Sequence, residues 1–121
     1  MIWFKASEFA CTCPRPACVG KTGSIEPDLG ERLDALRSIC VFPLTVTSGL
    51  RCPEHNAEVG GAPDSAHLTG QAADIECTHA GLRRIIVKAA MLLFDYVEIA
   101  PHHVHCDVKE RGARLLDVGT G

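Results

Sequence analysis

A chain of 121 residues, 46% of them hydrophobic, has the size of one domain with a single core, so no second domain is expected. Its net charge of −3, with no basic run and 5% aromatic residues, offers neither a phosphate-tracking groove nor a base-stacking platform, and nucleic acid is not expected as a partner. Met1 to Lys5 lacks a charged region followed by a long apolar stretch, and the longest apolar run, near Ile85 to Phe94, is broken by Lys88; neither a signal peptide nor a membrane span is expected.

The domain divides into an N-terminal segment and loop (1–27), a core (28–110) and a tail (111–121). Residues 14–28 carry Pro14, Pro16 and Pro27 together with Gly20 and Gly23, which reads as a loop. From Asp28 to Ile39 the apolar residues Leu29, Leu33, Leu36 and Ile39 recur at helical spacing, predicting an amphipathic helix that ends before Pro43. Leu44 to Ser48 has the composition of a strand closing at Gly49. Residues 49–66 form a long loop rich in Gly, Pro, Asn and Asp, and a loop of that length in a small domain is usually functional.

Gln71 to Glu76 reads as a short buried strand, with His67 on the loop that leads into it. Thr78 is placed to cap a helix from His79 or Ala80 to about Phe94. Its apolar face is made of Leu82, Ile85, Ile86, Ala89, Leu92 and Leu93, with Arg83, Arg84 and Lys88 in water. Tyr96 to Ala100 and His103 to Val108 predict two strands joined at Pro101 as a hairpin. The expected fold is therefore α+β, a small antiparallel sheet with helices packed on one face. Beyond Arg111 the tail is expected to fray apart from Leu115 and Leu116.

Seven cysteines cannot all pair internally, and free thiols are the default for a chain without an export signal. Cys11, Cys13 and Cys18 cluster in a spacing that could hold a structural metal with Cys52 or a histidine as the fourth ligand. Against it stands the absence of the paired Cys-x-x-Cys of ordinary zinc sites. Cys40, Cys77 and Cys106 sit beside apolar residues, as small buried hydrophobes do.

Four stretches stand out: Thr47-Ser48-Gly49-Leu50-Arg51-Cys52-Pro53-Glu54-His55-Asn56, then Val59-Gly60-Gly61-Ala62, then Ser65-Ala66-His67-Leu68-Thr69-Gly70-Gln71-Ala72-Ala73-Asp74, and His103-Val104-His105-Cys106-Asp107. Together they resemble the zinc D-Ala-D-Ala carboxypeptidases, a group sharing its fold and metal shell with lysostaphin-type peptidases and hedgehog signalling domains. The opening, Phe4 to Cys13, also resembles the short single-domain members of bacteria and their phages. The resemblance covers nearly the whole chain, and the pairing of Ser-x-His-x-x-Gly-x-Ala-x-Asp with a later His-x-His is its most specific part.

The resemblance implies that His67, Asp74 and His105 are the ligands of one Zn2+ ion. Three protein ligands leave one tetrahedral position open, as in catalytic rather than structural sites. Zinc so held polarises a carbonyl and lowers the pKa of water from about 15.7 to about 7, which suits peptide hydrolysis.

In a strand, His103 and His105 share a face that His102 and Val104 do not. His103 is thus the first candidate to carry the proton, with Glu98 second and His102 third. The related peptidases commonly place an acid three residues before the last ligand, where this chain has His102. A hairpin turning at Pro101 would set Glu98 across from His103, and in a continuous strand Glu98 and His105 have opposite parity, so Glu98 serves only if the turn resets the register. Asp107, on the face of His105, could fix a ligand imidazole or be an exposed strand carboxylate.

Arg51 is the candidate for a substrate carboxylate, against the alternative of a surface pair with Glu54 or Glu58. Ser65 is carried with it on the substrate side, although a local turn hydrogen bond also accounts for Ser65, and Gly70 fits a positive φ or a close chain approach. His55 and His79 read as solvated or structural.

The expected function is zinc-dependent cleavage of peptidoglycan stem peptides by a monomer, as a D-Ala-D-Ala carboxypeptidase or related endopeptidase. The resemblance further implies synthesis in a bacterial cytoplasm and action at the cell wall, with phage delivery. Two other readings remain open: a weakly active or inactive cell-wall binding or phage tail module of the same fold, and a cytosolic amidase acting on free dipeptides.

Overall fold

A computed structural model describes residues 1–110; the expectations for the tail, Leu115 and Leu116 included, lie outside the described residues. Three helices, α1 (Pro27–Cys40), α2 (Pro53–Glu58) and α3 (Ala80–Leu93), accompany four strands, β1 (Val46–Ser48), β2 (Ala72–Glu76), β3 (Tyr96–Ile99) and β4 (His103–Asp107). Three 3-10 turns, Ala6–Phe9, Val19–Thr22 and Ala66–Thr69, lie outside the expected helices and strands. The architecture is α+β, with an antiparallel sheet in the order β1-β2-β4-β3.

Alternation along the two central strands sorts their side chains into two layers. Ala73 and Ile75 of β2 and Val104 and Cys106 of β4 are fully buried, in one core with Leu29, Leu33 and Leu36 of α1 and Ile86, Ala89 and Ala90 of α3. Both long helices therefore lie on that side. The opposite face carries Asp74, His103, His105 and Asp107, with Glu98 from the edge strand, so the chemistry of the chain is gathered on the side without the two long helices.

Polar clamps fix the helices and the hairpin. The Arg32 Nη1 donates to the carbonyl of Leu93 at 2.8 Å, satisfying one of the last carbonyls of α3 from α1. Arg83 of α3 donates to the carbonyls of Pro101 (2.9 Å) and Ala100 (2.5 Å), tying α3 to the β3–β4 turn. The Arg37 guanidinium stacks 4.2 Å from the Trp3 ring centre, which anchors the N-terminal segment on α1.

Several expectations are corrected. The helix cap is His79, not Thr78: the His79 Nδ1 accepts from the backbone N–H of Leu82 at 3.2 Å, and Thr78 is exposed. The apolar face of α3 is narrower than its periodicity suggests, since Leu82, Ile85 and Leu92 are exposed; a sheet of four short strands covers only the stripe through Ile86, Ala89 and Ala90. Ile39, near the end of α1, is likewise exposed. Strand β1 starts at Val46 rather than Leu44, and α2 occupies part of the segment expected to be irregular. Among the described residues, no helix is long and apolar enough to cross a membrane.

Ile75 lies between both helices and the sheet with no exposed surface. Ile75→Ala should lower the unfolding free energy by about 2–5 kcal/mol, read from the urea midpoint, because a buried cavity replaces the removed methyl groups. Its side chain faces away from Asp74, so metal binding by the folded variant should be unchanged.

Candidate metal centre

His67 is buried in the 3-10 turn Ala66–Thr69, which Ser65 starts by accepting the His67 backbone N–H at 3.2 Å. The turn ends at Gly70 with φ +71°, where a Cβ would also press on the backbone of Ser24 and Ile25, so both reasons for glycine hold at once. Asp74 sits in the middle of β2, paired directly with His105 of β4 and flanked by Ser48 of β1. Directly paired residues of an antiparallel ladder project to one face. This register brings His67, Asp74 and His105 together, with their donor atoms all within 4.8 Å of one another.

The hydrogen bonds assign the nitrogens. The carbonyl of Gly49 can only accept, so His67 Nδ1 carries a proton and donates to it at 2.8 Å. By the same logic His105 Nε2 donates to Asp107 Oδ2 at 2.8 Å. The remaining nitrogens, His67 Nε2 and His105 Nδ1, stand 3.2 and 2.9 Å from the same Asp74 oxygen. A neutral imidazole would there oppose a lone pair to a carboxylate, so the cluster is satisfied only by added positive charge, either a second proton on an imidazole or a cation shared by all three.

The electrostatics point the same way. Burial opposes ionisation of Asp74, but the bonds to His105 and His67 outweigh it and hold its carboxyl well below the usual carboxylate range. Burial likewise disfavours a charged His105, yet Asp107 and Asp74 together raise its pKa to about 9. Two nitrogens and a carboxylate oxygen, preoriented and buried, form a donor set suited to zinc, and the residues present fit that ion. Asp107, expected either as a support for a ligand imidazole or as an exposed carboxylate, is fully buried and performs the first task in geometry.

The cluster opens into a cleft of about 560 Å³ whose walls include Arg51, Ser65, Glu98 and His103. Arg51 is half-buried: its Nη1 donates to Asn56 Oδ1 at 3.0 Å and its Nη2 to Ser48 Oγ at 3.1 Å. Its Nε is buried without a hydrogen-bond partner among the described residues. Glu58 pairs with Arg15 at 2.6 Å instead, so Arg51 is not the surface ion pair that was the alternative.

The three-residue connection 100–102 does set the register that Glu98 needs. Glu98 lies across from His105, not His103, and on the same face. The Tyr96 hydroxyl donates to Glu98 at 2.6 Å. His103 Nε2 stands 3.7 Å from the second Asp74 oxygen. His102 is exposed in the turn and does not line the cleft.

Asn56, Ser48 and Tyr96 were not singled out from sequence. The signal for Asn56 lies in the Arg51 to Asn56 spacing across Pro53, since a helix begun by that proline turns the asparagine back onto the arginine. Gly61 completes the arrangement, because a Cβ there would stand 2.1 Å from Asn56 Oδ1 and 2.9 Å from Arg51 Nη1.

An antiparallel α+β domain with a His-Asp-His cluster opening into a cleft has the arrangement of a metal-binding site, and the family to which the chain is matched makes it a peptidase's. The family model for Peptidase M15 matches residues 3–107, and the chain belongs to that peptidase family. No curated protein sequence matches the chain significantly.

If Asp107 orients His105, Asp107→Asn should weaken zinc binding about 10- to 100-fold in chelator competition. Glu98→Gln, which leaves the nitrogen assignment intact, should change zinc affinity less than twofold in the same titration.

Proposed function

We propose that this chain is a zinc-dependent peptidase that cleaves peptidoglycan stem peptides, with D-Ala-D-Ala carboxypeptidase activity as the specific reaction. The observation that carries this reading is the placing of one candidate metal-ligand cluster and one supported arginine on the walls of a single cleft. His67, Asp74 and His105 would hold the ion. When bound, zinc supplies Lewis acidity that polarises the scissile carbonyl and makes water a nucleophile at neutral pH.

The protein's own residues do the rest. Arg51, its fork fixed by Asn56 and Ser48, presents its remaining donors to a terminal carboxylate, the anchor a carboxypeptidase needs to measure one residue from a chain end. Asp107 holds the His105 proton on Nε2 and so keeps Nδ1 turned to the cluster. His103 and Glu98, both on the cleft wall, are the groups in reach to carry a proton to the departing amine nitrogen. Substrate class and site of action, a cell wall reached through phage delivery, follow from the family resemblance.

A non-catalytic wall-binding module is the second reading, favoured by one observation: position 102, where related peptidases carry an acid, is an exposed histidine outside the cleft.

Metal-loaded wild type and Asp74→Ala, incubated with purified muropeptides, separate the two by mass spectrometry. The proposed activity releases D-Ala with the wild type alone; intact muropeptides in both digests, with the wild type still binding them, would establish the binding module. For Arg51→Lys the expectation is a KM raised about tenfold or more on peptides with a free C-terminal carboxylate, since the bidentate fork is lost. Peptides ending in an amide should show no such difference between the two proteins.

A further inference from the structure

Outside the cleft, four thiols converge in a cluster that the hydrolytic chemistry does not use. Cys11, Cys13 and Cys52 are buried and Cys18 is half-buried, and they form a packed cluster of their own, separate from the main core. We propose that Cys11, Cys13, Cys18 and Cys52 are a second metal site, closed and structural, that takes one zinc ion and fastens the N-terminal segment to the loop bearing Arg51.

The distances support a metal rather than disulfides. All four Sγ atoms lie within 4.8 Å of one another, with Cys13 3.5 Å from Cys18 and 3.7 Å from Cys52. A tetrahedron of thiolates at about 2.3 Å from zinc has sulfur–sulfur edges of about 3.8 Å. A disulfide needs about 2.05 Å, and four sulfurs gathered round one point are not arranged as pairs. The surroundings are those of bound thiolates. The backbone N–H of Cys52 donates to Cys11 Sγ and that of His55 to Cys52 Sγ, each at 3.4 Å. The Lys21 ammonium donates to the carbonyls of Cys11 and Cys13 at 2.5 Å, which places a cation beside a centre whose four thiolates exceed the charge of one divalent ion.

The sequence left the fourth ligand open between Cys52 and a histidine; the structure brings in Cys52, while His55 Nε2 turns to Thr12 Oγ1 at 3.3 Å. Cys52 directly follows Arg51, and Leu50 N–H donates to the Phe9 carbonyl at 2.8 Å. An ion at the thiols would therefore lock the stretch 50–52 against residues 9–18 from both ends.

The test is metal content of the full chain purified from zinc-supplemented medium under reducing conditions. Two zinc ions per wild-type chain are expected, one in Asp74→Ala and one in Cys13→Ser. Cobalt-loaded Asp74→Ala should keep the intense near-ultraviolet thiolate-to-cobalt absorption, while cobalt-loaded Cys13→Ser should lose most of it. If Cys13→Ser does not fold by circular dichroism, Cys18→Ser at the half-buried corner takes its place, and the cobalt spectrum of Asp74→Ala needs no thiol variant. An Asp74→Ala chain purified without zinc, or a chain mass lowered by two hydrogens per disulfide, would overturn the proposal. Because Asp74→Ala removes only the cleft ion, failure of the hydrolytic reading leaves this result unaffected.

Discussion

Everything in the cleft depends on one carboxylate oxygen. Asp74 Oδ1 is approached by two imidazole nitrogens whose opposite ring nitrogens are already bonded to fixed acceptors, the Gly49 carbonyl and the Asp107 carboxylate. Burying such a group without compensating charge is expensive, and its partners keep the carboxylate ionised despite that cost. The cluster is thus a preformed demand for positive charge, built before any substrate arrives.

The fold supplies that constraint economically. Pairing Asp74 with His105 across two central strands fixes both side chains on one face, and the core packed beneath them by α1 and α3 removes freedom from the backbone that carries them. The third donor comes from a 3-10 turn that Ser65 starts and Gly70 ends. A site mounted on the middle of a sheet is held more closely than one mounted on loops, which suits groups whose distances must be kept to a few tenths of an ångström. Arg51, in contrast, stands on the long connection between β1 and β2, and it is held by Asn56, Ser48 and the crowding of Gly61.

Much of this was legible in the chain. The helices 28–39 and 80–94 were read within a residue or two because their apolar periods are long, and the His-x-His parity followed from strand geometry alone. What could not be read was set by tertiary contact. Leu82, Ile85 and Leu92 fit a helical stripe, yet the small sheet leaves them in water. His79 displaced Thr78 as a cap because an imidazole nitrogen can accept a backbone N–H as a hydroxyl does. Glu98 was placed opposite the wrong histidine because hairpin register depends on turn length, which Pro101 marks only in position. The meeting of Cys52 with the N-terminal thiols was one of several options in sequence and became specific only when the chain folded back on itself.

The most direct test of the central claim is a crystal structure of the zinc-loaded protein. The account predicts one zinc ion bonded to His67 Nε2, an Asp74 oxygen and His105 Nδ1, with Asp107 still bonded to His105 Nε2 and one coordination position reaching the cleft. An ion enclosed by a fourth protein ligand, or these three side chains turned apart with zinc elsewhere, would contradict it.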